Sequence, residues 1–314
     1  MRIYRSLDEA AEAKFRHPVC TLGVFDGVHV GHRFVMRECM SLAAERGGES
    51  VVVTFNQHPR GIIADLPPKL ITPIEHRLNL FDDLGIDHCL ALSFDDDLRQ
   101  VEAVDFAHQV FEDIIGAEVV VLGHNCRFGK DRVGSAEFLM ASSLDYSFAT
   151  QKAPEIRVGQ TILSSTNIRA SIEDGDLKLA STMLGRPFSL FGTVVGGDQR
   201  GRTIGFPTAN LDLHHGLLPP LGVYGCRVVV DGVTHNALTN IGVRPTFEDA
   251  ESGMPLVEAH LLNFSGDLYG QDLELVFLTW LRAEKKFDGI EALKAQIAQD
   301  RTSFLNYLDG GTAG

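Results

Sequence analysis

The chain has 314 residues, enough for two domains that each bury a core, and it is 44% hydrophobic and 22% charged. That balance excludes a disordered chain, and no apolar run is long enough for a membrane-spanning one. A formal net charge of −14 opposes the phosphate neutralisation on which nucleic-acid affinity rests, so an anionic ligand must be held locally, by loops and helix ends. The first stretch, MRIYRSLDEAAEAKFRHP, has basic residues but no apolar segment or cleavage pattern, so it does not read as a secretory signal, and a cytoplasmic location is expected. Five scattered cysteines without a CxxC pair indicate a reducing compartment, with neither a disulfide framework nor a zinc site.

From residue 19 to about 150, short β-rich runs alternate with helical stretches: VCTLGVF, HRFVMRECMSLAAERG, SVVVTF, PIEHRLNLFDDLG, HCLALSF, VDFAHQVFEDIIG and EVVVLG. Ser50–Phe55 and Glu118–Leu122 are continuous apolar runs, as parallel strands covered by helices on both faces must be. This predicts a doubly wound, Rossmann-like α/β sheet with ligands at the carboxyl ends of its strands.

The first strand leads into Gly23 to His32, GVFDGVHVGH. Glycines at 23, 27 and 31 remove side chains where a strand turns into a helix, so that backbone N–H groups can approach a phosphate. His29 and His32, three apart, share one face of the first helical turn beside its positive dipole end, and both can donate to nucleotide phosphates. The pattern points to an ATP-using nucleotidyltransferase. At the end of the EVVVLG strand, Gly123 to Gly129 reads GHNCRFG; Asn125 offers donor and acceptor to a ring edge and Phe128 offers a stacking face. Ser164-Ser165-Thr166-Asn167-Ile168-Arg169 then opens a helical pattern, with a hydroxyl cap and Arg169 within reach of a phosphate at its start. Taken alone, that last string reads by default as an ordinary N-cap with a solvated arginine.

After about residue 183 the pattern changes to short strands broken by Gly, Pro and Asp: FGTVVGG, YGCRVVVDG, HNALTNIG, VEAHLLNF and DLELVFLTWL. A small antiparallel barrel is expected, with the domain boundary near Met183 to Pro187 and domains of residues 1–183 and 184–314. Within GTVVGGDQRGRTIGFPTANL, mobile glycines and Arg200 and Arg202 precede Thr208 and Asn210, whose hard oxygens, with phosphate oxygens and water, suit Mg²⁺, although the string alone equally describes a Gly/Pro turn closing a barrel strand. In Val257 to Leu262, Glu258 and His260 lie opposite Val257, Ala259 and Leu261, and Glu258 could take a proton from an attacking hydroxyl, although an isolated glutamate on a strand more commonly marks a solvated face. A helical tail, GIEALKAQIAQDRTSFLNYL, closes the pattern; Ile290, Leu293, Ile297, Phe304 and Leu305 approximate helical spacing, interrupted by Asp300 to Ser303.

The GxFDGxHxGH loop and the SSTxIR helix start strongly resemble the FMN adenylyltransferase module of the bacterial bifunctional riboflavin kinase/FAD synthetases. GFPTANL, GVYG, NIGVRPTF, VEAHLLNF, DLYG and LRAEKKFD recur in this order in that family's riboflavin kinase module. The chain departs from the pattern at Asn125 and Cys126, where many members carry Asp and an aromatic, and at Gln57, commonly Pro.

The resemblance implies two reactions: riboflavin and ATP give FMN and ADP in the second half, and FMN and ATP give FAD and pyrophosphate in the first. It implies that Gly23, Phe25, Asp26, Gly27, His29, Gly31, His32, Ser164, Ser165, Thr166 and Arg169 meet one ATP. Gly197, Arg200, Gly205, Thr208 and Asn210 meet the other, the last two with Mg²⁺. Glu258 is implied as the catalytic base, with His29 and His32 catalytic in the first half. Asn125, Arg127, Phe128 and Arg282 are candidates for the flavin, although Arg244 and Arg282 could serve structure or ligand equally well. The implied partners are the small molecules riboflavin, FMN and ATP, with no nucleic acid and no membrane.

Overall fold

A computed structural model of the chain describes residues 1–57, 68–159, 161–196, 205–214, 216–243 and 255–310. By contacts it divides into two compact units, Met1–Ile168 with Met183–Gly185, and Arg169–Thr182 with Arg186–Gly314.

The first unit follows the alternation expected. Its elements are β1 (Arg2–Tyr4), α1 (Leu7–Ala11), β2 (Val19–Leu22), α2 (Val30–Glu45), β3 (Ser50–Phe55), α3 (Ile74–Leu84), β4 (His88–Leu92), α4 (Asp96–Gln100) and α5 (Ala103–Phe106). Then come a π-helical run (Ala107–Ile114), β5 (Val119–Leu122), α6 (Ala136–Ala141), β6 (Ala149–Lys152) and the small hairpin β7 (Arg157–Val158) and β8 (Thr161–Ile162). Six parallel strands form one sheet in the order β1-β4-β3-β2-β5-β6.

The apolar strand runs have two destinations. Cys20, Leu22, Val51, Val53, Leu90, Leu92, Val120 and Leu122 pack beneath α1, α5 and α6. The intervening Val52, Cys89 and Ala91 pack against α2 and α3, and Val19, Val119 and Val121 against α2. With both faces covered, every second residue is as apolar as its neighbours, which is why period-2 alternation is absent. The chain winds outward from β2 through β3 to β4, then returns to β5, so the order reverses between β2 and β5. At such a reversal the loops leaving adjacent strands part and open a crevice.

Two helices, α7 (Ser165–Glu173) and α8 (Leu177–Leu184), fill what the sequence suggested as one helical stretch. They separate at Gly175, whose φ of +80° no helix interior can hold.

In the second unit, β9 (Ser189–Val195), β10 (Ala209–Leu213), β11 (Gly222–Val230), β12 (Val233–Val243), β13 (Pro255–Leu261) and β14 (Asp272–Ala283) close a barrel in the order β10-β13-β12-β11-β14-β9, each neighbour antiparallel. Tyr224, Cys226, Val228, Ile241, Val257, Ala259 and Phe277 are buried, so the barrel is filled by its own side chains and a ligand must use its outside. β10 is a strand that apolar runs did not announce; it begins within the PTAN string.

The last helix, α9 (Ile290–Leu308), is continuous as the helical tail was expected to be, and it runs through Asp300 to Ser303, where the apolar spacing is interrupted. Asp300 is 4% exposed because its carboxylate accepts from Arg282 Nε at 3.0 Å and Nη2 at 2.9 Å and from Gln296 Nε2 at 2.8 Å. A charged residue thus occupies the buried face of the helix, paired, while Ile290 is exposed. One turn on, Phe304 packs so closely on β11 that a side chain at Gly225 would come within 2.3 Å of its ring. Asp300→Ala should lower the urea midpoint of the barrel by the equivalent of about 3 kcal/mol, because it leaves a largely desolvated guanidinium without its partner.

The described cysteines are free, and burial pushes the thiols of Cys39, Cys89 and Cys226 up to about 12. Because the thiolate is the nucleophile, these three should resist iodoacetamide at pH 8 in the native protein and react once it is denatured, as counted by mass spectrometry.

Candidate active sites

In the first unit, the Gly23–His32 string leaves the carboxyl end of β2 at the reversal point and becomes the start of α2. It is an over-determined turn. Phe25 and Val28 take φ of +53° and +40°, a left-handed region in which a β-branched residue is strained by about 1–3 kcal/mol. Two clamps hold it there. The Asp26 carboxylate, 2% exposed, accepts from the Ile71 and Thr72 N–H groups at 3.0 and 2.9 Å, and Gly27 N–H donates to Thr72 Oγ1 at 2.9 Å. From the other side the fully buried Arg77 of α3 donates to the Val24 carbonyl, to Phe55 O at 3.0 Å and to Thr54 Oγ1 at 3.3 Å. Burial pushes the Arg77 guanidinium down and the Asp26 charge opposes that.

The glycines serve side chains as well as backbone. A Cβ on Gly23 would stand 2.9 Å from the Phe25 ring, and one on Gly31 3.3 Å from the His29 ring. His29 is the N-cap of α2: its Nδ1 accepts from the His32 N–H at 3.2 Å. That leaves Nε2 to carry the proton of the neutral ring and act as the donor. The His29 and His32 rings stack with centroids 3.4 Å apart and planes inclined by 18°, and Phe25 meets His32 edge-on at 5.2 Å.

The SSTNIR string joins this loop. Ser164 Oγ caps α7 by accepting from Asn167 N–H at 3.2 Å, and Ser165 Oγ donates to the Asp26 carbonyl at 2.9 Å. Thr166 is exposed, and Arg169, half-buried, lies one turn along α7. The GHNCRF turn leaves the end of β5, the strand beside β2. Cys126 Sγ donates to Leu22 O at 3.3 Å, which fastens this turn to the end of β2; the departure at Cys126 is a tie between the two loops. Asn125 and Arg127 are exposed, Arg127 donating to Cys126 O at 2.8 Å. Phe128 is not on that edge. It is 5% exposed, with Phe106 at 5.5 Å and Phe111 at 5.8 Å, so its ring belongs to the core and the stacking face expected from the sequence is corrected.

In the second unit, strand register assembles a row on the outside of the barrel. Asn210 of β10 stands opposite Glu258 of β13, and Glu258 stands opposite Asn240 of β12. Register partners in an antiparallel pair share a face, so the carboxylate is flanked by two amides. Val257 and Ala259 are fully buried while Glu258 and His260 are half-buried, as their alternation predicts. Asn210 is 9% exposed, Thr208 is half-buried just before β10, and Gly205 is exposed with φ of +87°. Gly197, Arg200, Arg202 and Arg244 lie outside the described residues. Arg282 is placed by its bidentate pair with Asp300 and by Nη1 donating to Ala283 O at 3.1 Å, so most of its hydrogen bonding fastens α9 to β14. Of the two roles open for it in the sequence, the structure shows the structural one.

Sequence reasoning missed Arg77, Thr72 and Asn240. Arg77 had a signal: it lies four residues before Phe81, on the buried face of α3. Asn240 had one only in the pairing of β12 with β13, which is not local.

A doubly wound α/β unit with an anion-ready helix start at its reversal point, followed by a filled barrel with a Thr/Asn/Glu row outside, defines a two-part transferase acting on nucleotide phosphates. The family model for FAD synthetase matches residues 11–167 and that for riboflavin kinase residues 184–308. The chain is 35% identical over 295 residues to the bifunctional riboflavin kinase/FMN adenylyltransferase of Bacillus subtilis (strain 168), covering 92% of each. It is 35% identical over 300 residues to the protein of the same name in Pseudomonas fluorescens, covering 96% of each. The chain belongs to the bifunctional riboflavin kinase/FMN adenylyltransferase family. A crystal structure from Streptococcus pneumoniae, described as a macrolide-efflux protein, superposes with a TM-score of 0.81 at 27% identity over 97% of this chain and 98% of that one. Among the described residues no helix is long and apolar enough to cross a membrane.

Proposed function

We propose that residues 1–183 transfer the adenylyl group of ATP to FMN at the Gly23–His32 loop, and that residues 184–314 phosphorylate riboflavin at the Thr208–Asn210–Glu258 row. The chain is a riboflavin kinase and FMN adenylyltransferase, making FMN and then FAD; the division of labour and the residues are the proposal. The observation that carries the first half is the stacked His29–His32 pair on the start of α2 at the sheet's reversal point. The N–H groups of that helix start and the His29 Nε2–H meet an anion, so charge developing on the α-phosphate and on pyrophosphate is stabilised where it arises. Ser165, tied to the Asp26 carbonyl, and the exposed Asn125 complete a rim on which nucleotide and flavin would lie. Arg169 is retained as a nucleotide contact on the sequence pattern alone.

In the barrel, Glu258 accepts the proton of the riboflavin 5′-hydroxyl as it attacks the γ-phosphorus of ATP, and the bond to ADP breaks. Asn210 and Asn240 on either side keep the carboxylate in place. The donor set fits Mg²⁺: a hydroxyl and an amide oxygen, both hard, one of them nine-tenths buried, offered in a number that leaves positions for phosphate oxygens. Bound there, Mg²⁺ would neutralise phosphate charge. Free, buried cysteines support work in a reducing compartment, and we place the enzyme in the cytoplasm.

Thr208→Ala with Asn210→Ala tests the second assignment. Riboflavin phosphorylation at fixed ATP should fall by about 10²-fold or more, while FAD formation from supplied FMN is kept; equal phosphorylation by the variant would refute it.

A further inference from the structure

We infer that His260 is a positioning residue of the phosphoryl-transfer site, which sets the peptide carrying Thr208; the inference rests on the barrel assignment just made. It begins with a missing hydrogen. Ladder pairing of β10 with β13 runs from Leu211↔Val257 through Asn210↔Glu258 to Ala209↔Ala259 and stops there. Pro207 has no N–H to continue it, so the backbone ladder does not hold the residues just before β10, Thr208 among them.

A side chain takes over. Continued by one step, the register sets Thr208 opposite His260, on the same outer face as Asn210 and Glu258. His260 Nδ1 lies 2.8 Å from the Pro207 carbonyl oxygen. A carbonyl only accepts, so Nδ1 carries the hydrogen and donates it. The ring also meets Phe206 edge-on, with centroids 5.4 Å apart and planes at 78°, so it grips the strand on both sides of the Phe206–Pro207 bond. Because the peptide bond is planar, fixing the Pro207 carbonyl fixes the Thr208 N–H at the other end of the same plane and the axis about which Thr208 turns. His260 therefore orients the hydroxyl at 208 from the strand that carries the base two residues earlier.

Two substitutions separate the donor from the ring. His260→Phe keeps an aromatic beside Phe206 and removes the donor; His260→Asn removes the ring but places an amide N–H near the position of Nδ1. His260→Phe should raise the ATP KM of riboflavin phosphorylation about tenfold, with a smaller change in kcat. ADP binding by calorimetry should weaken in parallel. His260→Asn should stay within about threefold of the unchanged chain in both measurements, a rescue expected of a restored hydrogen bond rather than of packing. Adenylylation of supplied FMN should be unaltered in both variants. The inference is overturned if His260→Phe leaves the ATP KM and ADP binding unchanged, or if His260→Asn is impaired as severely as His260→Phe. Loss of phosphorylation on Thr208→Ala with Asn210→Ala, beside an unaffected His260→Phe, would overturn this inference and leave the site assignment standing. Full activity of the Thr208/Asn210 variant would remove the assignment itself.

Discussion

Replacing His29 and His32 together by alanine should stop FAD formation from FMN while riboflavin is still converted to FMN. In the proposed site each ring supplies a donor where negative charge grows, and loss of one such donor typically costs about 10²–10³ in rate, so the pair should take FAD formation to the detection limit. Part of that loss has a structural source. His29 Nδ1 caps α2 by accepting from the His32 N–H, and removing a cap costs about 1 kcal/mol. His29→Asn separates the two effects, because its amide oxygen can still cap the helix but it has no group in the place of Nε2–H. FAD formation should remain low in His29→Asn while its unfolding midpoint stays near that of the unchanged chain. Recovery of FAD formation together with the cap would make His29 a structural residue and leave the chemistry to His32 and the helix N-terminus.

Glu258→Gln should have the mirror effect: riboflavin phosphorylation falls by about 10²–10⁴ and FAD formation from supplied FMN is kept. The substitution is nearly isosteric and lies in register between Asn210 and Asn240, so the fold and nucleotide affinity should change little. The loss should therefore fall on kcat rather than on the ATP KM, measured from initial rates over a range of ATP. A KM effect with kcat intact would mark Glu258 as a binding residue.

What could be read from the sequence follows from which interactions are local. Continuous apolar runs such as Ser50–Phe55 announced a parallel sheet because both faces of each strand are covered, and the glycine and histidine spacing of GVFDGVHVGH announced a helix start. Both are properties of a few consecutive residues. Phe128 misled because a turn at a strand end can send an aromatic either way, and here the space between Phe106 and Phe111 takes it. Asp300 broke the apolar pattern of α9 because its partner, Arg282, is 18 residues away on a strand. β10 escaped notice because Pro207 just before it and the polar residues Asn210 and Asp212 within it read as a turn, and only pairing with β9 and β13 makes Ala209–Leu213 a strand. The clamps under the Gly23–His32 loop, Asp26 to Thr72 and Arg77 to Val24, join residues 46 and 53 apart; nothing local encodes them, yet they hold the backbone on which the proposed chemistry depends.

The most direct test of two separate sites in one chain is a chromatographic time course of riboflavin, FMN and FAD, run with ATP and Mg²⁺ on the unchanged chain and on the two active-site variants. The expected result is FMN followed by FAD for the unchanged chain, accumulation of FMN alone for the His29/His32 variant, and FAD only from supplied FMN for Glu258→Gln. Loss of both products on either substitution, in protein that remains folded, would contradict the assignment of one reaction to each half.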